Sequence, residues 1–345
     1  MKVEKMAFKQ ISSTIIIDAF RKYAKDNLLV NFLLDSRKEF VSLRLKQDEE
    51  IYKTFNWLRK NMLTVLNRID DEISKSDYEK IMKYLNDFTA DLRIDLGRVI
   101  NDSLSKIIQT ASNPYMQMFK YLSTEAKLTI VTNKMFKQAI DRSNREVISI
   151  ISNKQFGARK LQSMKLSGRI WKSSLYARTG IQKVIKHGMA NGLSARDIAK
   201  NLNKYMTPTA KNTILKKEIG KKFPSNPHYY ALRVARSEAQ HSYQESMYNA
   251  GKIMPSYEGI YWVLSNRHPE YDICDIWANE KKYGEKGFYP KGKEPSLAHP
   301  NCICTQIQKL SNNDDMIDRL ISWQKNPKSD KKLEDWYKKY FKNER

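Results

Sequence analysis

Between residues 1 and 150 the chain carries one glycine, Gly97, and one proline, Pro114. Helices end where these residues accumulate, so a stretch this poor in them predicts long helices. The apolar spacing agrees. Ile51, Phe55, Leu58, Met62 and Val65 follow three- and four-residue steps with charges between them, the pattern of one buried helix face. Ser74-Lys75-Ser76-Asp77 reads as a turn with an N-cap that restarts a helix from Tyr78 to Ile108. Ser112-Asn113-Pro114 reads as the next break, because proline removes one helical N–H and crowds the preceding turn. There is no repeat at a fixed period and no sustained heptad. Residues 1–150 therefore read as a helical region that serves as scaffold and interaction surface.

From residue 157 onward glycine returns and the helices shorten. Ile181, Val184, Ile185 and Met189 form one apolar stripe, ended by Asn191-Gly192 as a C-cap. Ser194 is a good N-cap with Asp197 three residues on, and Ile198, Leu202 and Tyr205 form the next stripe. Two helices joined by a glycine-containing turn have the outline of a helix-turn-helix, as does any helical hairpin. Ser225-Asn226-Pro227 opens a further helix that ends at Gly251 and carries Leu232, Ala235, Ala239 and Tyr243 on one face. Arg236 and Glu238 lie two apart and point away from each other, so each needs a partner outside the helix. Both are taken as structural, holding that helix against the module that follows.

After Gly251 the pattern changes to short strands and turns, with YEGIYWVLS alternating loosely before loops rich in Pro, Gly, Asn and Lys. The end returns to helix: Leu333, Trp336, Tyr337, Tyr340 and Phe341 make an amphipathic stripe that would dock on its own domain or on a partner. The fold class is thus mainly α: long N-terminal helices, a shorter helical middle, a small irregular α+β C-terminal module, and a terminal amphipathic helix. The corresponding segments are 1–150, a basic helical region 151–251, a small Cys/His module 252–310, and a helical tail 311–345.

Charge narrows the function. The formal net charge is +24, and such an excess repels itself unless a polyanion is near. Abundant Asn and Ile suggest an A/T-rich coding sequence, which also inflates lysine. Between Lys154 and Lys222, however, 17 Lys or Arg face only two acids, Asp197 and Glu218. Coding bias alone would not strip the acids from one segment, so a surface that faces nucleic acid is expected there. Arg159, Lys160, Arg169, Lys172, Lys183 and Lys186 are the candidates for DNA phosphate contact. No apolar run is long enough to span a bilayer, and the N-terminus lacks the pattern of a secretory signal, so the expected setting is cytosolic with no membrane partner.

All three cysteines and two of the five histidines fall within 37 residues: His268, Cys274, His299, Cys302 and Cys304. Zinc takes four soft or borderline ligands supplied as two short clusters with a loop between. His268, Cys274, Cys302 and Cys304 could supply them, with His299 as the alternate. The intervening loop, with Gly284, Gly287, Pro290, Gly292 and Pro295, suits a metal-pinned segment without its own core. The spacing is not the double CxxC, so cysteines that are merely buried remain an alternative. A catalytic pair of Cys302 with His299 lacks an orienting group or oxyanion hole nearby. An odd count and a reducing compartment argue against a disulfide framework.

The order of motifs carries a resemblance. A helix after Ile170-Trp171 comes first, then HGMANGLSARDIAKNL, ALRVARSEAQHSY, WVLSNRHPEYDICD and HPNCIC. Over roughly 165–310 this is similar to the C-terminal half of phage minor head, or head morphogenesis, proteins of the Mu F-like family. Arg236, Ser237 and Glu238 match that family's AR(S/T)E helix, Asp272 to Asp275 its DICD, and His299 to Cys304 its HPxCxC. Many relatives carry a CxxC in the upstream cluster, where this chain has Tyr271 and Cys274; His268 would then fill the vacant ligand place, or the metal would be lost. The resemblance implies a virion component of the capsid interior or portal vertex, made in the host cytoplasm, that acts in head assembly. Its implied partners are portal or major capsid subunits and packaged phage DNA, the DNA met through its backbone without sequence reading. One structural Zn2+ is the implied cofactor, and no catalytic residue is assigned. The rival classes are a phage-encoded enzyme (a nuclease or toxin transferase) and a sequence-specific DNA-binding regulator built on 181–205. The chain has no HNH arrangement, HExxH, glycine-rich phosphate loop or GxSxG to support the enzyme.

Overall fold

The structure is a computed structural model that describes residues 27–153, 164–207, 226–265, 271–295, 299, 302 and 304–342. It is mostly helical, with one three-stranded sheet in the C-terminal region among the described residues. The first helices are long, as the scarcity of glycine and proline requires: α1 spans Asn27–Leu66, α2 Lys75–Glu125 and α3 Asn133–Asn153. Ser74 caps α2, its hydroxyl accepting from the Asp77 N–H at 3.1 Å.

One expectation is corrected. Pro114 does not end α2, which continues through it to Glu125. Proline at 114 cannot donate to the carbonyl four residues back, and in this chain another donor takes that role. The Ser36 hydroxyl donates to the Thr110 carbonyl at 2.8 Å, so the helix loses a bond but leaves no orphaned acceptor.

The chain folds as two compact units, each assembled from separated stretches: Met1–Arg44, Leu104–Ile151 and Ser237–Arg345 in the first, and Leu45–Ser103 and Ser152–Arg236 in the second. In the second unit α4 (Leu166–Ala190) and α5 (Ala195–Met206) form a helical hairpin. Gly192 at φ +62° makes the turn, and the Ser194 hydroxyl accepts from Asp197 N at 3.2 Å to start α5, both as the sequence predicts. Gly180 and Gly188 let the two helices close up, since a Cβ at either position would overlap Tyr205 or Ile198. Helix α6 (Tyr229–Ile253) starts two residues past Pro227, with Asn226 Oδ1 accepting from Tyr229 N at 2.7 Å. It runs through Gly251, the expected end, by two residues.

In the first unit, strands β1 (Tyr257–Val263), β2 (Phe288–Pro290) and β3 (Thr305–Leu310) make an antiparallel sheet in the order β2-β1-β3. A short helix, α7 (Ile273–Asn279), lies between β1 and β2 in sequence. The sheet shares one core with α1, α2, α3 and α6, in which Phe119 stacks on Phe136 at 3.9 Å and Phe40 meets Tyr243 at 4.3 Å. The tail comprises α8 (Asn313–Lys325) and α9 (Lys331–Tyr337), with a π-helical end at Lys338–Lys342. Its apolar stripe docks on its own unit: Leu333, Trp336 and Phe341 are buried, and Trp336 Nε1 donates to the Ile253 carbonyl at 2.7 Å.

Candidate functional site

Three of the five sequence-nominated ligands meet. Cys274 and Cys302 are buried, His299 is partly buried, and their ligand atoms lie within 4.8 Å of one another, so the cluster could hold a metal ion. The Cys274 and Cys302 sulfurs are 3.6 Å apart. That separation is far beyond a disulfide bond and is short enough for both to reach one ion. His299, the alternate in the sequence reading, stands where a ligand is needed, whereas His268 lies outside the described residues.

Local sequence explains the arrangement. Asp272 is the N-cap of α7 and forms a capping box with Asp275. Its Oδ1 accepts from Cys274 N at 2.7 Å, while Asp275 Oδ2 accepts from Asp272 N at 2.9 Å. The other oxygen, Oδ2, lies 2.7 Å from His299 Nε2. A single carboxylate thus sets the helix that presents Cys274 and the ring that faces it. Ahead of β3, the His299 carbonyl accepts from Cys302 N at 3.2 Å.

Cys304, also nominated as a ligand by the sequence, stands outside that three-residue cluster. It is buried, and its sulfur accepts from the backbone N–H of Ser265 at 3.4 Å. Gln240 and Gln244, one turn apart on α6, both donate to its carbonyl, at 3.0 and 2.9 Å. Hydrogen bonding with Cys302 and Cys304, then burial, raises the Cys274 thiol far above its ordinary range. Cys302 is lowered by its bond with Cys274, but Cys304 and burial outweigh this and push it up to about 12. Both thiols therefore resist becoming anions; a bound cation would reverse that preference.

The basic residues form a different surface. At about 100° per residue, Arg169, Lys172, Lys183 and Lys186 fall within a sector of about 100° on α4, opposite the buried Ile170, Ala177, Ile181 and Val184. Lys172 and Lys186 are exposed, Lys183 is half-buried, and Arg169 is half-buried with Nε and Nη2 shielded from solvent. Aromatic rings support two of them: Lys172 Nζ lies 5.9 Å from the Tyr176 ring and Lys186 Nζ 5.8 Å from the Tyr78 ring. Arg159 and Lys160 lie outside the described residues.

Arg236 has a partner outside its helix, as its position demands, but that partner is in α1. It grips Asp48 with Nε at 3.1 Å and Nη2 at 2.8 Å. Its ion pair is therefore not with the C-terminal module. Glu238 is wholly buried, 4.0 Å from His241 Nδ1. Sequence reading assigned no role to Asp272, Gln240 or Gln244. The first carries a signal in DICD, where acids three apart ahead of an apolar residue can be read as a capping box; the glutamine clamp has no such local signature.

No family model, curated protein or solved structure matches this chain. Among the described residues, no helix is long and apolar enough to cross a membrane.

Proposed function

We propose that the chain is a phage minor head protein, a structural component acting in head assembly at the portal or capsid interior. In this reading the C-terminal module is pinned by one structural Zn2+, and the basic face of α4 meets packaged DNA through its backbone. The observation that carries the reading is the knot formed by three motifs of the resemblance. The helix after Ala235-Arg236-Ser237-Glu238 holds Cys304 through Gln240 and Gln244, and Asp272 of DICD meets His299 of HPNCIC. Segments scattered over nearly seventy residues of sequence serve one structural purpose, which is what a shared fold signature requires.

The residues fit zinc. Two thiolates on a tetrahedral zinc, each at about 2.3 Å, stand about 3.8 Å apart, close to the 3.6 Å between Cys274 and Cys302. His299, with its ligand atom in the same cluster, would take a third position. Bound there, a metal would tie α7 to the segment ahead of β3. The basic face supports the second half of the reading, because four cations on one side of one helix suit a sequence-indifferent contact with phosphates. Mass spectrometry of purified virions beside empty procapsids tests the function. The protein is expected in one or both, at copy numbers below the major capsid protein; absence from both overturns the reading.

A further inference from the structure

Gly97, the one glycine in the first 150 residues, sits inside α2. Glycine is among the poorest helix formers, so one inside a long helix calls for a reason. Packing supplies none. A Cβ at Gly180 or Gly188 would overlap a neighbour, whereas at Gly97 it would meet no atom within 4 Å. Backbone conformation supplies none either, since Gly97 is not left-handed.

The space left open belongs to a cavity of about 350 Å³ within the second unit, at the small end of the range for small-molecule sites. Arg93, Gly97 and Asn101, at four-residue steps on one face of α2, line it. Lys165 and Ser167 join them from the start of α4, and Ser152 from the end of α3. Leu166 and Ile170, both buried, supply an apolar part of the lining. Among the described residues no carboxylate lines it.

That lining selects an anion. Arg93 and Lys165 are exposed, and neither side chain has an ion-pair or hydrogen-bond partner among the described residues. Two cations thus share one cavity with hydroxyl and amide groups and with no acid to neutralise them. Charge-assisted hydrogen bonds to an oxyanion are the strong interactions open to such a set. Two positive charges match a phosphate monoester, which carries close to two negative charges at neutral pH, better than a backbone diester, which carries one. The dipole of α4, whose N-cap Lys165 makes no side-chain hydrogen bond, adds to the preference without carrying it.

We infer that this cavity is a binding site for a phosphate monoester. Arg93 and Lys165 hold the phosphate, and Gly97 lets the body of the ligand approach the backbone of α2. Two sources share that chemistry: a small phosphorylated molecule, and the phosphorylated end of a nucleic-acid strand. The site goes beyond the function proposed above and stands without it.

The experiment titrates the full chain by calorimetry with thymidine monophosphate, thymidine and inorganic phosphate. Wild type should take up one thymidine monophosphate per chain, inorganic phosphate more weakly, and thymidine not measurably. Arg93→Gln and Lys165→Gln should each weaken thymidine monophosphate by about ten-fold, the loss of one charge-assisted hydrogen bond. Gly97→Leu should abolish binding by filling the cavity. Its unfolding midpoint should meanwhile hold or rise, because leucine is the better helix former and its Cβ meets no neighbour. Two oligonucleotides of one sequence, with and without a terminal phosphate, separate the sources. An advantage of the phosphorylated strand that Gly97→Leu removes assigns the strand end; equal affinity for the two strands assigns the small molecule. The inference is overturned if neither thymidine monophosphate nor inorganic phosphate binds saturably up to about 10 mM. It is overturned equally if Arg93→Gln, or a folded Gly97→Leu, binds thymidine monophosphate as wild type does. Should Gly97→Leu not fold, Arg93→Gln decides by the same criterion.

Discussion

The Ser36 hydroxyl donates to the Thr110 carbonyl, the acceptor that Pro114 leaves open in the middle of α2. Ser36 Oγ also lies 3.0 Å from the Tyr243 hydroxyl, so the tyrosine is the donor of that second bond. A proline inside a 51-residue helix is tolerated because a serine from α1 and a tyrosine from α6 complete its hydrogen bonding. Ser36→Ala would leave a buried carbonyl and a buried phenol unmet, at a cost of about 1–3 kcal/mol. Pro114→Ala restores the helical N–H and should recover part of that loss, so a double-mutant cycle by denaturant unfolding should show a coupling of about 1 kcal/mol. Additive single effects would contradict the compensation.

The Gly188 position should be intolerant of any side chain. A Cβ there overlaps the Ile198 side chain, so Gly188→Ala should destabilise the hairpin by about 1–3 kcal/mol, the usual range for overpacking. Adding Ile198→Ala should return part of it, which thermal unfolding of the double variant checks.

Arg236 and Asp48 form a two-nitrogen grip in the second unit. Asp48→Asn should cost about 1 kcal/mol, near the upper end for partly exposed pairs, because the geometry is bidentate while Arg236 keeps some solvent contact. Arg236→Lys should not preserve the interaction, since an ammonium cannot reproduce the fork. Burial opposes the guanidinium charge but Asp48 outweighs it and raises its pKa. The guanidinium stays protonated throughout neutral and mildly alkaline pH, so the contribution should be flat there.

DNA binding should be weak, indifferent to sequence and steep in salt. Lys172→Glu with Lys186→Glu should lower affinity equally for unrelated duplexes and reduce the salt slope by about 2, because each lost phosphate contact removes about one released counterion. Binding that does not change between roughly 50 and 200 mM salt would remove the backbone-contact idea.

What could be read in the sequence was local. The caps at Ser74 and Ser194 and the turn at Asn191-Gly192 are each specified by residues within one helical turn, and each is present. Pro114 was misread because its compensating donor lies 74 positions from the carbonyl it serves, and no local pattern announces it. The cysteine cluster was legible from composition, yet spacing put His268 ahead of His299; the tie from Asp272 to His299 is a tertiary fact. Gly97 stood out in the sequence as a lone glycine, but the cavity beside it did not.

The metal-held knuckle is the claim on which the rest leans, and metal content tests it most directly. Protein purified without chelator, and analysed for zinc against amino-acid content, should carry about one ion per chain, and chelation should lower its unfolding midpoint. Less than about 0.2 zinc per chain, with no response to chelator, would contradict it.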